Sequence, residues 1–138
     1  ACGVIKSNPK NTFPERLKEI YDGVVHVVEQ YQPVMASVED VFFAKNPKSA
    51  LKLGQARGAI IIGILQKKIA VKEYTAKQVK QAVAGYGQAS KQQVQHMVRV
   101  LLNLTSSPSE DAADALAIAM CHIQQRRLNQ WLTEHTPK

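Results

Sequence analysis

The chain offers few of the standard chemical devices. Its two cysteines, Cys2 and Cys121, form neither a Cys-x-x-Cys pair nor a zinc-type spacing. They read as free, buried thiols of a reducing compartment. No apolar run approaches the roughly 18 residues that suggest a membrane span. The chain opens Ala1-Cys2-Gly3-Val4-Ile5 without a basic leader, so the expected location is cytoplasmic, away from a membrane. There is no nucleotide-binding glycine motif and no Ser/His/Asp or Cys/His arrangement. His26, His96, His122 and His135 show no ligand spacing and read as structural or surface groups. Acids are also scarce: 11 against 18 Lys and Arg, a net charge of +7. That imbalance favours a polyanionic partner, nucleic acid ahead of membrane. A soluble protein that merely happens to be basic has the same composition.

What is present suits one globular domain. The 138 residues are 45% apolar, enough for a single core. Residues 1–5 read as a short strand, followed by a polar, Pro-containing turn over 7–11. Thr12-Phe13-Pro14-Glu15 has capping-box spacing. It opens a helix whose core stripe is Leu17, Ile20, Tyr21, Val24, Val28 and Tyr31. Val34 to Val38 reads as a buried strand after the turn at Tyr31-Gln32-Pro33. Asn46-Pro47 starts a second helix, in which Ala50, Gly54 and Gly58 lie four apart. Each glycine there costs about 1 kcal/mol against alanine, so the row suggests close approach of another backbone. This sheet or a second subunit's helix would serve equally. A strand over 69–74 follows, then a short helix capped by Thr75 through about residue 83. After the Gly85-Tyr86-Gly87 turn, Ser90 caps a helix over about 91–103, with Val94, Met97, Val98 and Leu101 inward. A last helix spans about 110–125. Residues 1–125 thus form the domain and 126–138 a mostly polar tail. Strands alternating with helices argue for an α/β fold with a partly parallel sheet.

Three acids and several cations carry the candidate chemistry. Glu39 and Asp40 stand where the 34–38 strand emerges, and ligands of open α/β sheets bind off such strand ends. A solvated strand-end acid looks the same. Asp111 and Asp114 are three apart and share a helical face between small residues. Converging with Glu39, they would offer hard oxygen donors for Mg²⁺ or Mn²⁺. Equally, they decorate a helix N-terminus favourably. Lys77, Lys80, Lys91 and Arg99, around the Gly85-Tyr86-Gly87 turn, form either a phosphate-binding patch or a solvated face. Phe42 and Phe43 divide between core and base-stacking roles.

Five runs together are more specific: Val38-Glu39-Asp40-Val41-Phe42-Phe43, Ser49-Ala50-Leu51-Lys52-Leu53-Gly54-Gln55-Ala56-Arg57-Gly58, Val79-Lys80-Gln81-Ala82-Val83, Lys91-Gln92-Gln93-Val94-Gln95-His96-Met97-Val98 and Asp111-Ala112-Ala113-Asp114-Ala115-Leu116-Ala117-Ile118-Ala119. In these the chain resembles the RuvC family of Holliday junction resolvases, up to about His122. The resemblance implies an RNase H-like fold and a homodimer that nicks four-way DNA junctions symmetrically in recombination and repair. It also implies two Mg²⁺ ions per site. Glu39, Asp111 and Asp114 match three of the family's four metal-binding acids. Lys80 and Lys91 match lysines acting near the scissile phosphate; Lys77 joins the expected DNA-binding set from the basic patch, not from the resemblance. Phe42 matches an aromatic that engages bases at the junction. The helix from Ser49 matches the dimer-forming helix, and branch-migration proteins are implied partners. The family's first acid lies in a Gly-Ile-Asp-Pro-Gly-like motif on the first strand, and residues 1–138 hold no such motif. The expectation is an N-terminally incomplete nuclease, its activity impaired without that acid. A non-catalytic junction-binding module and another RNase H-like nuclease are the competing readings.

Overall fold

The computed structural model describes residues 2–40 and 46–135. Its order is α1 (Phe13–Tyr31), β1 (Met35–Asp40), α2 (Pro47–Leu65), β2 (Ala70–Thr75), α3 (Ala76–Ala84), α4 (Lys91–Leu101) and α5 (Glu110–His135). The α/β reading holds: β1 and β2 pair in a two-stranded sheet. The chain clusters into two compact units.

One unit contains α1 and α2. Glu15 accepts the Thr12 backbone N–H at 2.7 Å, closing the expected cap. Glu19 accepts from the Asn8 backbone at 2.7 Å and from the Asn11 side chain, tying the preceding turn to the helix. Gly63 of α2 lies against Tyr21 and Val24: a Cβ there would sit 3.4 Å from the Tyr21 ring. Lys67 and Glu29 pair at 2.6 Å, and the Lys67 ammonium lowers the Glu29 pKa. Of the expected α1 stripe, Val28 is buried, while Tyr31 at the last turn is exposed.

Three expectations fail here. Residues 2–8 hold no regular structure. A strand exists only through a ladder partner, and Ile5 instead packs its side chain onto Gly23 of α1. Cys2, in the same irregular stretch, is exposed rather than buried. Likewise β1 begins at Met35 and is only half-buried, with Val34 87% exposed just before it. Among the described residues β1 has one strand neighbour, β2, so it lacks the two-sided cover of a central strand. For Gly54 and Gly58, a Cβ would meet nothing within 4 Å among the described residues. Close packing on this chain's own sheet therefore does not explain that row.

The other unit contains residues 37–40, α3, α4 and α5. Its core is Tyr74, Val79, Val83, Ala89, Val94, Val98, Ala117 and Cys121. Within each helix these positions are four residues apart (Val79 and Val83, Val94 and Val98, Ala117 and Cys121), so each helix turns one apolar stripe inward. Val94 and Val98 point in as expected, but Leu101 at the end of α4 is half exposed. Tyr74 closes one side, its hydroxyl 2.8 Å from His122 Nδ1. Val98 is fully buried. Val98→Ala removes two methyl-sized groups and leaves a cavity, and is expected to cost about 2 kcal/mol. In a scanning calorimeter that amounts to a Tm lower by about 5–8 °C.

The last helix corrects another expectation. It does not stop near residue 125 but continues to His135. Local bonds support the added turns: Gln130 donates to Glu134 at 3.1 Å, and the Thr133 hydroxyl donates to the Asn129 carbonyl at 2.8 Å. His135 stacks on Trp131, with ring centroids 4.8 Å apart.

Candidate active-site cleft

A cleft of about 270 Å³ opens among β1, α3, α4 and α5, lined by Glu39, Lys80, Lys91 and Asp114 over a floor that includes Val79, Val94 and Ala117. Local folding places each polar group. Glu39 lies in β1, just before its last residue. Thr75 caps α3, accepting the Gln78 N–H at 3.2 Å while the Gln78 side chain accepts the Thr75 N–H at 2.8 Å. Lys80 follows on that helix. Ser90 and Gln93 make the same reciprocal pair at the start of α4, which fixes Lys91 as its first residue. Asp114 enters one turn into α5, after Ser109 and Ala113 close that helix with a 2.8 Å backbone bond.

The electrostatics are concentrated. Lys91 Nζ lies 3.1 Å from Asp114 and also pairs with Glu110. Those two carboxylates hold the Lys91 pKa well above its ordinary value. Glu39 opens to solvent on one side, yet the cleft walls strip part of its hydration. That desolvation, then the nearby Asp114 charge, raises its pKa, with Lys91 and Lys80 acting in the opposite sense. A carboxylate desolvated beside a second one is primed to accept a cation.

The structure divides the expected site residues. Glu39, Lys80, Lys91 and Asp114 come together. Asp111 is exposed one turn earlier on α5 and is not in the cleft lining. Among the described residues no three His, Cys, Asp or Glu side chains form a group able to hold a metal. The expected convergence of three acids is therefore not preformed: Asp111 lies about 60° around the helix from Asp114 and one turn back toward its start, short of the cleft. Two carboxylates still suit Mg²⁺, which keeps most of its waters and takes one or two protein acids plus substrate phosphate oxygens. Lys77 lies outside this cleft, in a groove with Thr75, Gln78 and Gln81. Its stem crosses Gly87. Phe42 and Phe43 lie outside the described residues. Glu110, paired with Lys91, was not singled out in the sequence, although it directly precedes Asp111.

The family model for crossover junction endodeoxyribonuclease RuvC matches residues 1–122. The chain belongs to the RuvC family. RuvC of Saccharophagus degradans is 56% identical over 123 residues, 89% of this chain and 71% of that relative. RuvC of Citrifermentans bemidjiense is 52% identical over 127 residues, covering 92% and 77%. The structure of Thermus thermophilus RuvC in complex with Holliday junction substrate superposes with a TM-score of 0.85 at 37% identity, covering 92% of this chain and 78% of that one. A second structure of Thermus thermophilus RuvC superposes with a TM-score of 0.82. The fold is thus the RNase H-like α/β fold of RuvC. The matched span ends within α5, and residues 123–135 continue that helix past the family model. No helix among the described residues is long and apolar enough to cross a membrane.

Proposed function

We propose that this chain is the nuclease body of a metal-dependent resolvase that nicks four-way DNA junctions. The observation that carries the reading is the cleft in which Glu39 and Asp114 face Lys80 and Lys91, within a member of the RuvC family. Glu39 and Asp114 would hold Mg²⁺ or Mn²⁺, with Asp111 on the same helix as a further donor and two ions per site as the family implies. The ion supplies Lewis acidity toward the phosphate and a more acidic bound water. Lys80 and Lys91 offset the charge that builds on the phosphate oxygens as the attacking water displaces the 3′-oxygen in line. The apolar floor of Val79, Val94 and Ala117 strengthens those attractions by limiting solvent. Phe42 engages junction bases, and Lys77 binds backbone phosphate.

A homodimer places two such clefts on one junction. The row Ala50, Gly54 and Gly58, with exposed Leu51 and Leu53 beside it, is the proposed dimer face. Branch-migration proteins are the further partners, and the cytoplasm the place of action. The decisive assay incubates the chain with a labelled synthetic four-way junction, with and without Mg²⁺, beside linear duplex of the same sequence. Paired symmetric nicks that need both the junction and Mg²⁺ are expected, at a rate reduced by the lack of the family's first acid. Metal-independent binding without nicks overturns the enzyme reading.

The groove at Lys77 gives a second check. A Cβ on Gly87 would fall 2.8 Å from Lys77 Cγ, so Gly87→Ala must push that stem aside. Junction affinity should fall, and the salt slope of log K should lose about one unit, one phosphate contact's worth. Fluorescence anisotropy across a salt series reads both.

A further inference from the structure

Lysine is a poor choice for the first residue of a helix, because its charge opposes the positive end of the macrodipole. Lys91 nevertheless occupies that position in α4. It is held there from outside the helix, by Glu110 at the start of α5 and Asp114 one turn on, the latter at 3.1 Å. The two acids are not equivalent. Asp114 lines the cleft, whereas Glu110 does not, so only Asp114 has a second use for its carboxylate. A cation arriving in the cleft competes with Lys91 for Asp114.

From this geometry we infer that Glu110 is a positioning residue: it tethers Lys91 so that Asp114 can exchange the lysine for a metal ion without leaving that ammonium unpaired. The inference rests on the nuclease reading above. In the metal-free chain Lys91 neutralises Asp114, which keeps two acids, Glu39 and Asp114, from repelling across the cleft. When Asp114 turns to the ion, Glu110 retains Lys91 at the cleft edge, where its charge faces the phosphate. Without Glu110, Lys91 has only Asp114, and the lysine and the ion exclude one another.

The test is a double-mutant cycle read by titration calorimetry of Mn²⁺ into the full 138-residue chain without DNA. Glu110→Gln should weaken Mn²⁺ binding about three- to fivefold, the scale of one exposed ion pair, and by less than about twofold in the Lys91→Gln background. Lys91→Gln alone should tighten Mn²⁺ binding, because it removes the competitor. Glu110→Asp, which keeps the charge, should recover at least part of the loss. A helix-stabilising role for Glu110, or its bulk negative charge alone, predicts equal losses in both backgrounds, and that result overturns the tether. Failure of the parent chain to bind Mn²⁺ overturns it as well. Junction nicking is measured separately, so a tether that fails in a chain that still nicks leaves the nuclease reading standing.

Discussion

Glu39→Gln is expected to lower junction nicking by about a thousandfold, the rate equivalent of the several kcal/mol that a metal ligand secures for the transition state. Single-turnover cleavage of a labelled junction measures it, and junction binding should change little, because Glu39 is an acid and contributes no phosphate contact. The pH dependence adds an independent check. Burial and then Asp114 raise the Glu39 pKa, so the folded chain favours the protonated form relative to an ordinary carboxyl. Only the ionised form accepts a cation. At Mg²⁺ too low to saturate the site, nicking by the parent should therefore rise with pH along an acidic limb that lies above the ordinary Glu value of about 4.3. The stability effect has the opposite sense. A folded state with a raised carboxyl pKa holds its proton longer than the unfolded chain, so this contribution is greatest below the unfolded pKa and is lost as pH rises through the folded one. Thermal melts of the parent and of Glu39→Gln across that window should diverge, with the variant free of the decline.

Lys80→Gln should cost about a hundredfold in the cleavage step, in the range for removing one donor aimed at developing charge. Lys80 lines the cleft from α3, together with the two acids. Its loss leaves the rest of the basic surface intact, so junction affinity should fall by no more than about threefold, as for one phosphate contact. A rate loss matched by an equal affinity loss would make Lys80 a general DNA contact and remove it from the chemistry.

Much of this site was legible because its scaffolding is local. The caps at Thr12, Thr75 and Ser90 each involve residues within three positions of one another, and such spacing is visible in a linear sequence. Those caps set where α3 and α4 begin, and thereby where Lys80 and Lys91 stand. Features decided by distant partners were not legible. The opening residues have strand-like composition, but composition cannot supply a ladder neighbour, and Ile5 found Gly23 instead. Asp111 and Asp114 have the spacing of a shared helical face, yet only Asp114 reaches the cleft lining. The link from Lys91 to Glu110 crosses 19 residues and joins the starts of two helices. The polar run after residue 125 resembled a tail, because helices need an apolar stripe to be recognised and this one ends on side-chain bonds one turn apart.

The junction between β2 and α3 has no loop at all. Thr75 is the last residue of the strand, and Ala76 the first of the helix. Thr75 therefore belongs to two hydrogen-bonding patterns at once, ending a ladder and capping a helix. Lys80 follows it by five residues, roughly 7 Å along a helix that rises 1.5 Å per residue. The lever from sheet to ammonium is short and carries no joint. A twist of the strand reaches Lys80 undiminished, so an inserted residue here would rotate the lysine by about 100° and swing it out of the cleft. This site has been given precision at the expense of play: it is a vice jaw cast in one piece with its bed.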